Sequence, residues 1–144
     1  MNAFRIGLLS GLVFAAFAAS WAQAQQASAP AQQVYVSKPI MVSPVTGDDK
    51  KEVVLMSVAI QPSGAVPMHT HPGDCVGAVV EGTVELLVEG QAPRRVAAGE
   101  AYNNVRGTVH GFRNVGDTQA KLLNRLVLDK GAPRVQPAAQ AAKQ

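Results

Sequence analysis

Beyond residue 33 the chain is written in short apolar and β-branched runs. A turn signal closes each run within roughly eight to twelve residues, and no window carries a helical period. Residues 83–89 state the pattern most clearly. Val84, Leu86 and Val88 share one parity, whereas Thr83, Glu85 and Glu89 share the other. A strand repeats every two residues, so such a segment buries one face and wets the other. Further strands are expected over residues 34–43, 52–60, 76–80, 94–97, 101–103, 109–113 and 120–129. Gly, Pro, Asn and Asp cluster between them, at residues 43–51 and 61–64 and at Glu81-Gly82, Glu89-Gly90, Arg106-Gly107 and residues 114–117. Many short strands at this spacing predict an all-β fold, a sandwich or barrel.

The two ends read differently. Residues 1–24 have the form of a secretory signal peptide: Arg5 ahead of an apolar stretch over residues 6–19, then the small-x-small site Ala22-Gln23-Ala24. The apolar stretch is shorter than the roughly 20 residues a membrane span needs. Contact with a membrane is therefore expected through the signal peptide only, and the product is expected in the periplasm. Residues 25–33 read as a disordered linker and residues 131–144 as a disordered tail, both rich in Ala and Gln. One domain over residues 34–130 remains, which suits a chain of 144 residues.

Charge and motifs exclude several function classes. Lys and Arg number 13 against 10 Asp and Glu, a net charge of +3, but no basic cluster exceeds Lys50-Lys51 and Arg94-Arg95. Nucleic acid demands a continuous basic stripe, so it is not an expected partner. The chain has no P-loop, no G-x-G-x-x-G and no G-x-S-x-G, which argues against nucleotide use and serine hydrolysis. Its single cysteine, Cys75, cannot form an internal disulfide, so stability must come from the core and from any bound metal.

Chemistry concentrates in three histidines, His69, His71 and His110. On a strand, His69 and His71 project to one face. Alone, a His-x-His pair is more often polar strand edge than ligand. A third imidazole from a distant strand would complete a three-ligand set with coordination positions to spare, the pattern of a catalytic metal site.

The surroundings of these histidines carry a resemblance. Gly64-x4-His69-x-His71-x3-Cys75-x6-Gly82 resembles the first motif of the cupin superfamily, and Gly99-x7-Gly107-x2-His110-x3-Asn114 resembles the second, with Val105 where that family usually has proline. The resemblance implies a single antiparallel jelly-roll β-barrel with its histidines pointing inward. It implies one divalent metal ion on His69, His71 and His110, iron first, with zinc, copper, manganese or nickel as alternatives. It further implies a small-molecule ligand and a metal-dependent oxidoreductase of dioxygenase type; the alternative is a non-catalytic module that binds metal or a small ligand. The resemblance also implies a possible homodimer, since cupins of this size often pair through an edge strand, and residues 34–43 are the candidate.

The family's fourth ligand, a glutamate, falls on Cys75. Three readings stay open. Cys75 is a thiolate ligand, which favours softer metals; or the site has three histidines only, with Cys75 as a buried small hydrophobe; or Asp74 takes the glutamate's place. Asp74 would need a bulge, because a one-residue shift reverses the face of a strand. Among neighbours, Phe112 shares inward parity with His110 and Arg113 faces outward. Tyr102 or Asn104 could hydrogen-bond a histidine ring or substrate. Asn124 lies on the apolar parity of Leu122 and Leu126 and needs a buried partner. Met56 and Met68 are expected as filler, and Glu81, Glu85, Glu89, Arg94 and Arg95 as solvated residues.

Overall fold

The computed structural model describes residues 34–138. The signal peptide and linker expected over residues 1–33 lie outside them. Ten strands follow in order: β1 (Tyr35–Val45), β2 (Asp48–Ile60), β3 (Ala65–Thr70), β4 (Asp74–Glu81), β5 (Thr83–Val88), β6 (Arg94–Ala97), β7 (Ala101–Asn104), β8 (His110–Asn114), β9 (Ala120–Asp129) and β10 (Gln136–Pro137). They form two antiparallel sheets, β1-β2-β9-β4-β7 and β10-β3-β8-β5-β6. The chain changes sheet repeatedly, as in a jelly roll, and the expected all-β fold is the one observed. Gly82, at φ +79°, is the whole connection between β4 and β5, where a side chain would press on the Cα of Ala120 at 3.0 Å.

Period-two patterning puts the core between the sheets. Along β9 every second residue is buried: Ala120, Leu122, Asn124, Leu126 and Leu128. One cluster joins both sheets through Val58, Ile60, Val79, Val84, Leu86, Val96, Tyr102, Phe112, Ala120 and Leu122. A second cluster lies on the first sheet alone: Val54, Met56, Cys75, Leu126 and Leu128. Each fully buried Leu or Val contributes roughly 1.5–3 kcal/mol from leaving water. The outward parity carries the cross-strand pairs Glu85–Arg113 and Lys51–Asp129, solvated and of small net value.

Two boundaries differ from the sequence reading. The turn expected over residues 43–51 shrinks to the tip at Thr46 and Gly47, because the β1–β2 ladder runs on through Pro44↔Glu52 and closes at Val45↔Asp48. Pairing with a continuous neighbour overrides the weak strand propensity of Asp48 to Lys51. The tail read as disordered from residue 131 also departs from expectation: Gln136 and Pro137 pair with Thr70 and His69 as β10. Val135 and Pro137 there line a cavity while staying largely exposed. Residues 139–144 lie outside the described residues.

Candidate metal centre

His69 and His110 belong to the second sheet, and His71 directly follows its strand β3. His69 lies near the end of β3, His71 just beyond it, and His110 opens the adjacent strand β8. A register irregularity decides whether they meet. Val66 pairs with Phe112, and His69 pairs with His110. β3 therefore spends three steps where β8 spends two, and the extra residue is a bulge spanning Pro67 and Met68. Without it Met68 would stand opposite His110. Proline suits the bulge, since it has no N–H to donate to a ladder. Gly111 makes room for it: a Cβ there would lie 2.8 Å from the Val66 carbonyl and 3.1 Å from the Met68 sulfur.

The rings gather at centroid separations of 4.5 Å (His69–His110), 4.9 Å (His69–His71) and 5.1 Å (His71–His110). One nitrogen from each lies within 4.8 Å of the other two. Every Nδ1 faces a backbone carbonyl: Pro67 for His69 at 2.7 Å, Arg134 for His71 at 2.6 Å and Thr108 for His110 at 2.9 Å. A carbonyl only accepts, so each Nδ1 donates, and each neutral ring keeps its lone pair on Nε2. The Nε2 atoms of His71 and His110 are buried with no hydrogen-bond partner in the structure. Buried polar atoms are normally satisfied, so a pair of orphaned lone pairs aimed into one cluster fits a cation. Burial drives the pKa of His71 and of His110 down to about 4 and lowers that of His69. The rings are therefore neutral and ligand-ready at neutral pH.

The backbone carries much of this orientation, and sequence reading missed it because a carbonyl has no residue identity. The Arg134 contact is the least legible. It comes from the segment read as tail, 63 positions beyond His71.

Cys75 does not join the cluster. It is fully buried on the opposite sheet, in the apolar group with Val54, Met56, Leu126 and Leu128. Desolvation pushes its thiol up to about 12 in the metal-free protein. The expected Cys75 ligand is thus replaced by core packing. Asp74 does not join either. Its carboxylate accepts the backbone N–H of Arg106 at 2.9 Å, while the Gly107 N–H donates to the His71 carbonyl at 3.0 Å. Together these tie down the loop that leads into His110. Tyr102 donates its hydroxyl to Asn124 Oδ1, not to a histidine ring. Asn104 is buried opposite Cys75 and its Nδ2 lacks a partner. Asn114, the last residue of the second motif, is structural. Its Nδ2 donates to the carbonyls of Ile60 and Thr118 at 3.0 and 2.8 Å, and its Oδ1 accepts the Gly116 N–H.

A cavity of about 270 Å³ opens beside the cluster. His69 and His71 form one end of it, Met56, Val58, Phe112 and Leu126 its apolar walls, and Val135 and Pro137 of the C-terminal segment a further side.

Comparison with known proteins follows this geometry. A cupin-domain family model matches residues 56–126, which include all three histidines. No match to a curated protein was found. Among solved structures, an oxalate oxidase in complex with the substrate analogue glycolate superposes with a TM-score of 0.58 at 23% identity, covering 72% of this chain and 55% of the other. The chain thus spans just over half that protein's length. A polyketide cyclase from Streptomyces resistomycificus gives a TM-score of 0.57 at 24% identity, covering 73% and 71% of the two chains. A DMSP lyase from Ruegeria pomeroyi gives 0.57 at 20%, covering 69% and 49%. Likeness at this level establishes a shared fold.

Proposed function

We propose that this chain is a cupin, and that it is an exported, mononuclear metal-binding protein and a metal-dependent oxidoreductase for a small organic molecule; the cupin-domain match over residues 56–126 supports the family. The observation that carries the reading is the convergence of three neutral imidazoles whose Nδ1 atoms all donate to backbone carbonyls. His69, His71 and His110 would hold one divalent ion. A nitrogen-only donor set suits iron, zinc, copper or nickel better than the hard cations, and iron is the first expectation for an oxidase. An ion held there supplies Lewis acidity and, if redox-active, electron transfer toward oxygen. The chain's own residues do the rest. The carbonyls of Pro67, Thr108 and Arg134 hold the rings in one tautomer, and Phe112, Met56 and Val58 give the adjoining cavity apolar walls.

A second reading, a non-catalytic binding module, has its own support. Among the described residues no Asp, Glu, Lys or Arg lines the cavity, so no general acid or base beyond the histidines stands ready. The reactions named for the structural neighbours (oxalate oxidation, polyketide cyclisation, DMSP lysis) have little chemistry in common and do not choose between the two. Export rests on the signal-peptide pattern of residues 1–24 and is tested by fractionation. Self-association would use the edge strand β1, whose Val36, Ile40, Met41 and Val42 stand exposed; light scattering tests it.

Elemental analysis of the purified protein, followed by oxygen-electrode assays, tests the reading. We expect one equivalent of metal, lost in His110→Ala. Full metal occupancy in His110→Ala refutes the site. A redox-inert metal with no oxygen uptake favours the binding module.

A further inference from the structure

The cavity is larger than a metal site requires, and its chemistry is one-sided. Its volume is about 270 Å³, whereas an engineered apolar cavity of about 150 Å³ holds benzene. There is room for a one-ring molecule with a substituent. Met56, Val58, Val66, Phe112, Leu126 and Val135 supply aliphatic and aromatic surface. No charged side chain among the described residues lines it. In the metal-free protein an anion placed in the apolar body would lose its water and find no charged side chain along these walls, which is prohibitive for an unpaired charge.

One polar wall residue qualifies this picture. Asn124 lines the cavity midway along β9. Its Oδ1 accepts from the Tyr102 hydroxyl, so the end left for a ligand is the amide NH2, a donor. The pair has little freedom, because it fills the space above Gly77. A Cβ at that position would lie 2.3 Å from Asn124 Oδ1 and 2.5 Å from the Tyr102 ring. The chamber therefore offers apolar surface, a fixed hydrogen-bond donor and lining histidines, and no charged side chain.

We propose that this chamber selects an uncharged, one-ring organic molecule carrying a hydrogen-bond acceptor, with its apolar body against Met56, Val58, Phe112 and Leu126 and the acceptor at the Asn124 amide. The proposal deepens the metal-site reading by naming the substrate class. The apolar contact does not depend on the ion, so the two are separable.

Calorimetric titration with three probes tests it, on metal-free and metal-loaded protein: benzamide, benzoate and acetamide. Benzamide and benzoate have nearly one shape and differ in charge; acetamide keeps the amide and lacks the ring. Benzamide is expected to bind metal-free protein at least tenfold more tightly than either of the others. Val66→Phe, which fills the cavity from its half-buried rim, should weaken benzamide at least tenfold and leave metal content unchanged. Met56→Phe serves the same purpose should Val66→Phe misfold. Benzoate or acetamide matching benzamide on metal-free protein overturns the proposal, as does unchanged benzamide binding in a folded cavity-filling variant. Benzamide binding by a protein that never takes up metal supports the chamber and refutes the metal site instead.

Discussion

Truncating Cys75 to alanine distinguishes a ligand from a piece of core. The side chain is 0% exposed and packs with Val54, Met56, Leu126 and Leu128. Removing its one heavy atom beyond Cβ forfeits about 1 kcal/mol of transfer energy, near the value for one methylene, plus a small cavity term. For a domain of this size 1 kcal/mol lowers Tm by about 4 °C. Cys75→Ala should therefore melt about 4–8 °C lower when metal-free, by scanning calorimetry. Metal affinity, read by competition with a chromophoric chelator, should stay within about twofold of the parent. A ligand behaves otherwise. Loss of even an outer-shell partner typically costs roughly 10–100-fold in affinity, and loss of a direct ligand costs more. A folded Cys75→Ala protein with metal affinity down tenfold or more would refute the assignment of this sulfur to the core.

Other expectations follow from the same geometry. His71 and His110 sit at about 4 in the folded protein against 6.5 unfolded, so between those values the unfolded chain binds more protons. Stability of the metal-free protein should be full above pH 6.5 and fall as pH drops toward 4, by on the order of a few kcal/mol, in urea titrations across that range; a flat profile contradicts the buried neutral rings. Gly111→Ala sets a methyl against the bulge at Val66 and Met68. It should cost ~1–3 kcal/mol and lower metal affinity roughly tenfold, whereas an unchanged affinity would mean the bulge does not place His69. Ending the chain after Lys130 removes the Arg134 carbonyl from His71 and the two cavity-lining residues Val135 and Pro137. The barrel should still fold, with metal affinity reduced roughly 10–100-fold in the same chelator assay; full affinity would show that the C-terminal segment is not part of the site.

Much of this protein was legible along the chain because strand patterning is local. Alternation in residues 83–89 and 120–129 announced which face is buried, and Gly82, Gly90 and Gly107, placed at turns by the sequence, all have positive φ. The motif spacing also singled out the three imidazoles that the fold brings together. The motifs were less informative about the remaining positions. Asn114 belongs to the turn it stitches, Asp74 to the loop it tethers, and Cys75 to the apolar cluster on the sheet opposite the histidines.

What the amino-acid order determined by itself was therefore the strand period, the turns and the identity of the three clustered imidazoles. The tertiary structure alone decided their arrangement. It set the one-residue bulge that turns His69 toward His110, the burial that keeps Cys75 a neutral thiol, and the return of residues 134–137 to cap His71. The physical reason is that each of these depends on register and on backbone carbonyls, which pair with whatever strand lies alongside and leave no mark in residue type.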